Sequence, residues 1–408
     1  PIAVEFSKKG FFVYGYDTKE SRIEGLKKGK SHIDDIKDKD IKSVIKKGFN
    51  PTYNAKVLNN SDVIIVCVPT PLRNKRTPDI SYIIKVTKAV SKYLHVGQLI
   101  VLESTTYPGT TREIMLPMLE KGGLKEGKDF FLAFSPERID PGNKKYKFSN
   151  IPKIVGGISK TAGELTKRLY SKVVDKVVYV SRAESAEVVK LLENTFRIVN
   201  IGLINEFAML CDKLGIDVWE VIEAAKTKPF GFMPFYPGPG VGGHCISTDP
   251  LYLSWKAKRL GFKTRMIDLA SKTNLSMPDY VVEKVIKLLE KKQKSINKAK
   301  ILILGVTYKE NIKDLRESPA LDIIDILTKK KAKVSYADPY IPYLDIDNIK
   351  LKATKITKAN IGKHDIVVLV TSHTKFNYSM IASNAKLIFD TRNGFAKAGI
   401  SSSKIIQL

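Results

Sequence analysis

Apolar positions along residues 1–181 come in short unbroken runs, each leaving into a turn rich in proline, glycine, serine or threonine. GFFVYGYD (10–17) is one such run and ends in an acid. SDVIIVCVPTP (61–71) and QLIVLESTTYPGT (98–110) repeat the form, and FFLAFSPER (130–138) and KIVGG (153–157) follow. Between them lie stretches such as DISYIIKVTKAVSKYL (79–94), with apolar residues at helical spacing. Continuous apolar strands alternating with helices predict a parallel, doubly wound sheet, covered on both faces. Ligands bind such sheets at the carboxyl ends of the strands. Asp17, Thr70, Ser104, Thr105 and Glu137 fall at or just past those ends.

The pattern changes at residue 182. AESAEVVKLLENTFRIVNIGLINEFAMLCDKLG (183–215) has no proline and carries apolar residues at helical spacing. It predicts one helix, or two, of roughly 30 residues where the average is about 12. Helices of that length bridge domains or form dimer seams. DVWEVIEAAK (217–226) and MPDYVVEKVIKLLEKK (277–292) extend this all-helical section, and the charge run KKQKSINKAK (291–300) reads as a hinge. A second doubly wound unit then starts at KILILGVTYK (300–309) and continues through SPALDIIDILTKKK, KVSYAD, DIVVLVTS and KLIFDTRN. The expected fold class is α/β: two doubly wound Rossmann-like domains (1–181 and 296–408) joined by a central helical domain (182–295). The second sheet lacks a GxGxxG, which argues for a nucleotide-like ligand held by different contacts.

A dinucleotide-binding unit runs strand, glycine-rich turn, helix, strand and acid, with the acid about 20 residues past the turn. Here PIAVEFSKKG (1–10) reads as the remainder of the first helix, and Asp17 ends the second strand. The first strand and its glycine turn are therefore expected before Pro1. The alternative is that Asp17 is an ordinary turn residue.

Composition narrows the function classes. A length of 408 residues suggests two or three domains, and 43% hydrophobic residues is usual for a globular chain. Its longest apolar runs are far too short to span a bilayer. Of three cysteines, Cys67 and Cys211 lie in apolar segments and read as buried packing residues. The small odd number points to a reducing cytoplasm rather than a disulfide framework. A net charge of +27 invites a nucleic-acid reading. Its lysines are spread along the whole chain, however, and no zinc-finger or RNA-binding aromatic signature accompanies them. A diffuse positive field also suits a small polyanionic substrate.

The third cysteine differs from the other two. PGPGVGGHCISTDP (237–250) places Cys245 in a loop of glycine and proline. Adjacent His and Cys are poor metal-ligand spacing, and no CxxC or HxxxH lies near. A buried structural thiol sits oddly in such a loop, which is usually exposed. Glycines let a backbone approach a ligand closely, and a thiol presented there is accessible as a nucleophile. Asp249 follows four residues later, close enough to position water or a proton. Lys190 and Asn194 stand four apart and share one helix face. A lysine and an amide so placed can hold an oxyanion or a water; a solvated face is the plainer reading. Lys309 and Arg316 lie beyond a strand and before a helix, where anions bind.

Together these segments resemble the nucleotide-sugar 6-dehydrogenases, the UDP-glucose/GDP-mannose dehydrogenase family. The resemblance covers essentially the whole chain and rests on GYDTKESRI, VPTP, ESTTYPGTT, SPERIDPG, EVVKLLENTFRIVNIGLINE, PGPGVGGHCISTDP and GVTYKENIKDLRESPA. It implies a four-electron, NAD-dependent oxidation of a sugar C6 alcohol through a cysteine thiohemiacetal and thioester. By resemblance Cys245 is the nucleophile, Lys190 stabilises oxyanions and Asn194 orients substrate or water. Asp249 assists proton transfer, and Thr105 and Glu137 hold the hydrolytic water. Asp17 falls to the adenosine ribose, Arg22 beside the adenine, Thr70 and Ser104 along the cofactor groove, and Arg316 to the cofactor. Lys309, Arg392, Arg138 and Gly242 fall to the sugar nucleotide. An acid at Asp17 selects NAD over NADP by repelling a 2′-phosphate. The resemblance also implies a UDP-sugar as the small-molecule partner and, together with the helix length, a homodimer through the long helix; the spacing, charge and run lengths above argue for no metal, nucleic acid or membrane.

The UDP-glucose branch usually has a lysine where this chain has Thr248. TKPFGFMPFYPGPGVGGHC and SPERIDPG look like the UDP-N-acetylhexosamine branch, and KPFGF leans toward UDP-N-acetylglucosamine over UDP-N-acetylmannosamine. Ser247 departs from the proline common in that branch. A two-electron β-hydroxyacid-type dehydrogenase is the rival enzyme reading; Cys245 and the third domain argue against it. A catalytically silent nucleotide-sugar-binding protein is the rival outside enzymes, supported by the glycine loop that the sequence as read does not contain.

Overall fold

The computed structural model describes the whole chain except residues 34, 74–76, 141, 144 and 347 and the side chains of His244 and Cys245. The chain forms two compact units, Pro1–Glu193 with Leu251–Phe262, and Asn194–Pro250 with Lys263–Leu408.

In the first unit, strand Val13–Tyr16 pairs in parallel with Phe49–Thr52 as a two-stranded sheet. A five-stranded sheet follows, in the order Val63–Val66, Leu99–Leu102, Phe131–Phe134, Lys153–Gly157, Val177–Val180. The interior strand Leu99–Leu102 is buried at every position, which is why its sequence shows no alternation. Helices Ser81–Ser91 and Lys160–Tyr170 cover the sheet, the second capped by Ser159, whose hydroxyl accepts from the Ala162 N–H. One pairing departs from the parallel expectation: Lys153–Gly157 runs antiparallel to Phe131–Phe134. The connection between them holds a single 3₁₀ turn, Phe148–Asn150, and no crossover helix among its described residues. A parallel return needs such a crossover. The expected burial of Cys67 also fails. Cys211 is buried, but Cys67, just past strand Val63–Val66, is exposed.

The 182–215 pattern is one helix, Ala183–Leu214, of 32 residues. Within the second unit it meets helix Arg265–Glu290 closely: a Cβ on Gly202 would stand 3.0 Å from Ala270 Cα. Another part of its surface is apolar and open. Phe196, Leu203, Phe207, Leu210 and Leu214 are 46–61% exposed at spacings of seven, four, three and four. The second unit's five-stranded sheet is parallel throughout, in the order Lys333–Ala337, Lys300–Leu304, Ile366–Leu369, Ile388–Asp390, Ile405–Gln407. Ile301, Ile303, Val368 and Phe389 are fully buried between it and helices Pro319–Lys329 and Arg265–Glu290. Ser318 caps the first of these helices, with Pro319 at its first position. A short antiparallel hairpin, Tyr343–Ile346 with Ile349–Lys352, was not foreseen from the sequence. Among the described residues, no helix is long and apolar enough to cross a membrane.

Candidate active site

The first unit carries its candidate residues on loops at strand ends. Asp17 directly follows Val13–Tyr16. One of its carboxylate oxygens accepts the Lys19 N–H (2.8 Å) and the other accepts Arg22 Nη1 (2.5 Å). Burial alone would raise its pKa, but these donors hold it below the ordinary value. It is an ionised, partly open carboxylate, suited to accept from vicinal hydroxyls and to repel a phosphate. Such an acceptor fits the ribose of a dinucleotide.

Ser104 and Thr70 are held differently from what a ligand contact alone would need. Ser104 Oγ accepts the Val68 N–H (2.7 Å) and so ties two neighbouring strand ends. Thr70 is buried, and its carbonyl accepts the hydroxyl of Tyr252 at 2.7 Å. Thr105 is half-buried in the STTYPGTT loop. That loop is pinned by Glu187, a residue the sequence reading passed over. Its carboxylate accepts the N–H of Gly109 (2.5 Å) and of Thr111 (2.9 Å), and the Thr111 hydroxyl (2.7 Å). Burial pushes Glu187 up to about 7 in spite of those donors.

Glu137 folds back on its own chain. Oε1 accepts the N–H of Arg138 and of Ile139, both at 2.7 Å. Oε2 lies 3.4 Å from Lys153 Nζ, which pairs with buried Glu103 at 2.9 Å. The Glu137 carbonyl accepts Lys190 Nζ at 2.7 Å. Lys190 and Glu137 are thus brought together, through the main chain. Arg138 turns instead to Glu193 (2.6 Å) and to the Pro152 carbonyl (2.6 Å).

In the second unit, Asn194 and Asp249 meet. Asn194 Nδ2 donates to Asp249 Oδ2 at 2.5 Å, and both residues are almost wholly buried. Asp249 belongs to helix His244–Arg259, whose first turn includes Cys245. The Cys245 side chain itself lies outside the described residues. Ser247 Oγ donates to the Gly243 carbonyl, and Thr248 is buried.

The glycines before that helix are required by close approach. A Cβ on Gly242 would come within 2.6 Å of the Glu317 carbonyl and of Tyr308 Cβ. Gly243 has φ +82° and its N–H donates to the Arg316 carbonyl (2.9 Å). A Cβ on Gly238 would meet Arg392 Nη1 at 2.5 Å. Gly238 N–H donates to Asn205 Oδ1 (2.9 Å), and Asn205 in turn bonds Asn274 (2.8 Å). These two buried amides were also missed. Asn205 carried a signal, as a polar residue in an otherwise apolar helical stretch; Asn274, beside Ser271, Lys272 and Thr273, did not.

Lys309 and Arg392 come together in a cavity of about 240 Å³, with Trp219, Tyr236, Tyr308, Glu310 and Lys397. Trp219 and Tyr236 stack at 6.0 Å and 16°, with Lys397 over both rings. Burial lowers Arg392 to about 10, opposed by Glu310 and Asp390, and its Nε donates to the Val370 carbonyl (2.9 Å). Three cations and one acid beside a flat aromatic pair suit a planar base joined to a doubly charged diphosphate. Arg316 does not line this cavity; its exposed guanidinium bonds Asp314 (2.6 Å).

Comparison with known proteins matches this layout along its length. Three sequence models of the UDP-glucose/GDP-mannose dehydrogenase family match in order: the NAD binding domain over residues 1–174, the central domain over 184–276 and the UDP binding domain over 302–397. A UDP-N-acetyl-D-glucosamine 6-dehydrogenase of Pseudomonas aeruginosa is 36% identical over 95% of this chain and 90% of its own length. A UDP-N-acetyl-D-mannosamine dehydrogenase of Pyrococcus horikoshii is 35% identical over 96% and 92%. The solved structure of the UDP-D-ManNAc dehydrogenase of Pyrococcus horikoshii has a TM-score of 0.89 at 34% identity, covering 100% of this chain and 95% of the other.

Proposed function

The chain belongs to the UDP-glucose/GDP-mannose dehydrogenase family of NAD-dependent oxidoreductases, and on that premise we propose that it oxidises C6 of a UDP-N-acetylhexosamine to the carboxylate. UDP-N-acetylglucosamine is the first choice of substrate and UDP-N-acetylmannosamine the second; relatives with both names match at 36% and 35%. Thr248, where the UDP-glucose branch has lysine, argues against UDP-glucose.

The observation that carries the reading is the buried Asn194–Asp249 pair at 2.5 Å, which ties helix Ala183–Leu214 to the helix whose first turn includes Cys245. Main-chain N–H groups at a helix start favour negative charge. In the proposed reaction the Cys245 thiolate adds to the C6 aldehyde to form a thiohemiacetal, and oxidation of that adduct leaves a thioester. Water attacks the thioester carbon, the C–S bond breaks, and the carboxylate leaves with the thiolate restored. NAD+, when bound, takes up the hydride in each of the two oxidations. In sum, one alcohol, two NAD+ and one water give one carboxylate, two NADH and three protons.

Lys190 would stabilise the oxyanions by charge, and Asn194, fixed by Asp249, would orient substrate or water. Asp249 would pass the proton; Thr105 and Glu137 would hold the water. Asp17, with Arg22, would hold the adenosine ribose, and Thr70 and Ser104 would line the cofactor groove. Arg316 would also serve the cofactor. Lys309, Arg392, Arg138 and Gly242 would serve the sugar nucleotide. A free thiol nucleophile suits a reducing cytoplasm.

Supplying UDP-N-acetylglucosamine, UDP-N-acetylmannosamine, UDP-glucose and GDP-mannose with NAD+ tests the reading. Two NADH per sugar are expected from a UDP-N-acetylhexosamine. A stable product after one NADH would mean a two-electron enzyme, and no NADH a silent binding protein. Cys245→Ser should lower acid formation by about 10³-fold or more while UDP-sugar binding persists; acid at the wild-type rate would remove the nucleophile.

The open apolar face of the long helix supports a homodimer, since Phe196, Leu203, Phe207, Leu210 and Leu214 repeat at coiled-coil-like spacing. Sedimentation showing only monomer at micromolar concentration would overturn it.

A further inference from the structure

Two titratable residues of the second unit with fully buried side chains, His373 and Asp338, have no part in the roles above. The Asn311 N–H donates to His373 Nδ1 at 3.0 Å. The ring proton therefore sits on Nε2, which donates to Asp338 Oδ2 at 3.0 Å. Oδ2 also accepts the Val306 N–H (2.8 Å), and Oδ1 accepts the N–H of Tyr340 (2.7 Å) and of Ile341 (3.1 Å). Burial alone would raise the aspartate; the His373 bond and the main-chain donors hold it below its ordinary value. The rings of Tyr340 and Phe376 flank the imidazole at 5.1 and 5.3 Å.

The pair joins three strand ends. Residues 305–311 follow strand Lys300–Leu304, Asp338 follows Lys333–Ala337, and residues 371–374 follow Ile366–Leu369 at +2 and beyond. Thr371 Oγ1 donates to the Thr307 carbonyl (2.6 Å), and Asn311 Oδ1 accepts the N–H and hydroxyl of Thr374, both at 3.0 Å. The first loop is therefore fixed at Val306 and Thr307 on one side and at Asn311 on the other. Only Tyr308, Lys309 and Glu310 lie between, and all three line the cation-rich cavity, as do Thr371 and Ser372 just before His373.

We propose that His373 and Asp338 are positioning residues for the sugar-nucleotide cavity: from behind its wall they set where Tyr308, Lys309 and Glu310 stand. This rests on the reading of that cavity as the UDP site. Side-chain variants can separate the two arms of the clamp. His373→Asn can still accept the Asn311 N–H but cannot reach Asp338. His373→Gln can still donate to Asp338 but gives up the Asn311 bond. His373→Leu loses both.

The test uses the full-length enzyme, with UDP affinity by calorimetry and steady-state kinetics on the UDP-sugar. His373→Leu is expected to raise the Kd for UDP and the KM for the sugar about 10-fold or more, and the two partial variants about threefold each. The kcat and NAD affinity should stay within twofold. A residue that only supported the core would lower Tm and leave Kd and KM of the folded fraction unchanged, and that result would overturn the proposal. Should His373→Leu fail to fold, the two partial variants decide the matter by the same readout. Wild-type enzyme that does not bind UDP would overturn both this proposal and the reading of the cavity; wild-type binding with unaltered variants overturns the positioning role alone.

Discussion

Each unit has a five-stranded sheet, but the two hold their candidate-site loops by different means. In the first unit, charged or hydroxyl side chains reach from helices to loop main chain. Glu187 takes two N–H groups of the STTYPGTT loop, Lys190 takes the Glu137 carbonyl and Tyr252 takes that of Thr70. In the second unit the PGPGVGG loop is held by contact and by neutral amides. Gly242 has no room for a Cβ, and Gly238 hangs on the Asn205–Asn274 pair. A loop held by charge answers to pH; a loop held by contact answers to volume. The lesson is that similar architecture does not imply a similar vulnerability.

The larger expected effect is on volume. Gly242→Val should press on the Glu317 carbonyl and Tyr308 Cβ, each 2.6 Å from the added Cβ. Overpacking of this kind costs about 3 kcal/mol. Because Tyr308 lines the cation-rich cavity, UDP-sugar turnover should fall roughly 100-fold, about 2.7 kcal/mol in transition-state binding. Near-normal UDP affinity and Tm in Gly242→Val would break the contrast.

The smaller effect is on pH. Glu187 has its pKa raised from 4.5 to about 7. A carboxyl raised on folding lends stability below its unfolded pKa, and that stability is lost as pH rises through the folded value. Tm should therefore fall between pH 4.5 and above 7, with a total loss on the order of 3 kcal/mol. Glu187→Gln should flatten that slope, at the expense of one of the three loop hydrogen bonds near pH 5. Equal slopes in wild type and variant would mean that the STTYPGTT loop is not held by a titrating group.

Much of the architecture was legible in sequence because each signal was local. KILILGVTYK and DIVVLVTS are strands because an unbroken apolar run of that length has few other stable homes in a covered sheet. The 32-residue helix was legible from its uninterrupted periodicity. The antiparallel turn of Lys153–Gly157 was not, since strand direction depends on where the connection travels rather than on the strand itself. Cys67 was misjudged for a related reason. VIIVCVP is as apolar as a central strand, but an apolar run does not say which of its side chains meet the core: Ile64 and Val66 are buried and Cys67 is exposed.

The candidate site divides along the same line. Asp17, Glu137, Lys190, Asn194, Cys245 and Asp249 could be named from residue type and motif, because their chemistry is written in their side chains. Glu187, Asn205, Asn274, Asp338 and His373 could not, because their significance comes from partners 33 to 78 residues away. The sequence by itself determined which residue types stand at the strand ends, the long helix and the glycine-rich approach to Cys245, all of which follow from short-range periodicity and backbone freedom. Only the tertiary structure decided that Asn194 meets Asp249, that Gly242 must be glycine and that a histidine sits behind the cavity wall. Those are distances between remote segments, set by the packing of whole elements, and no local pattern encodes them.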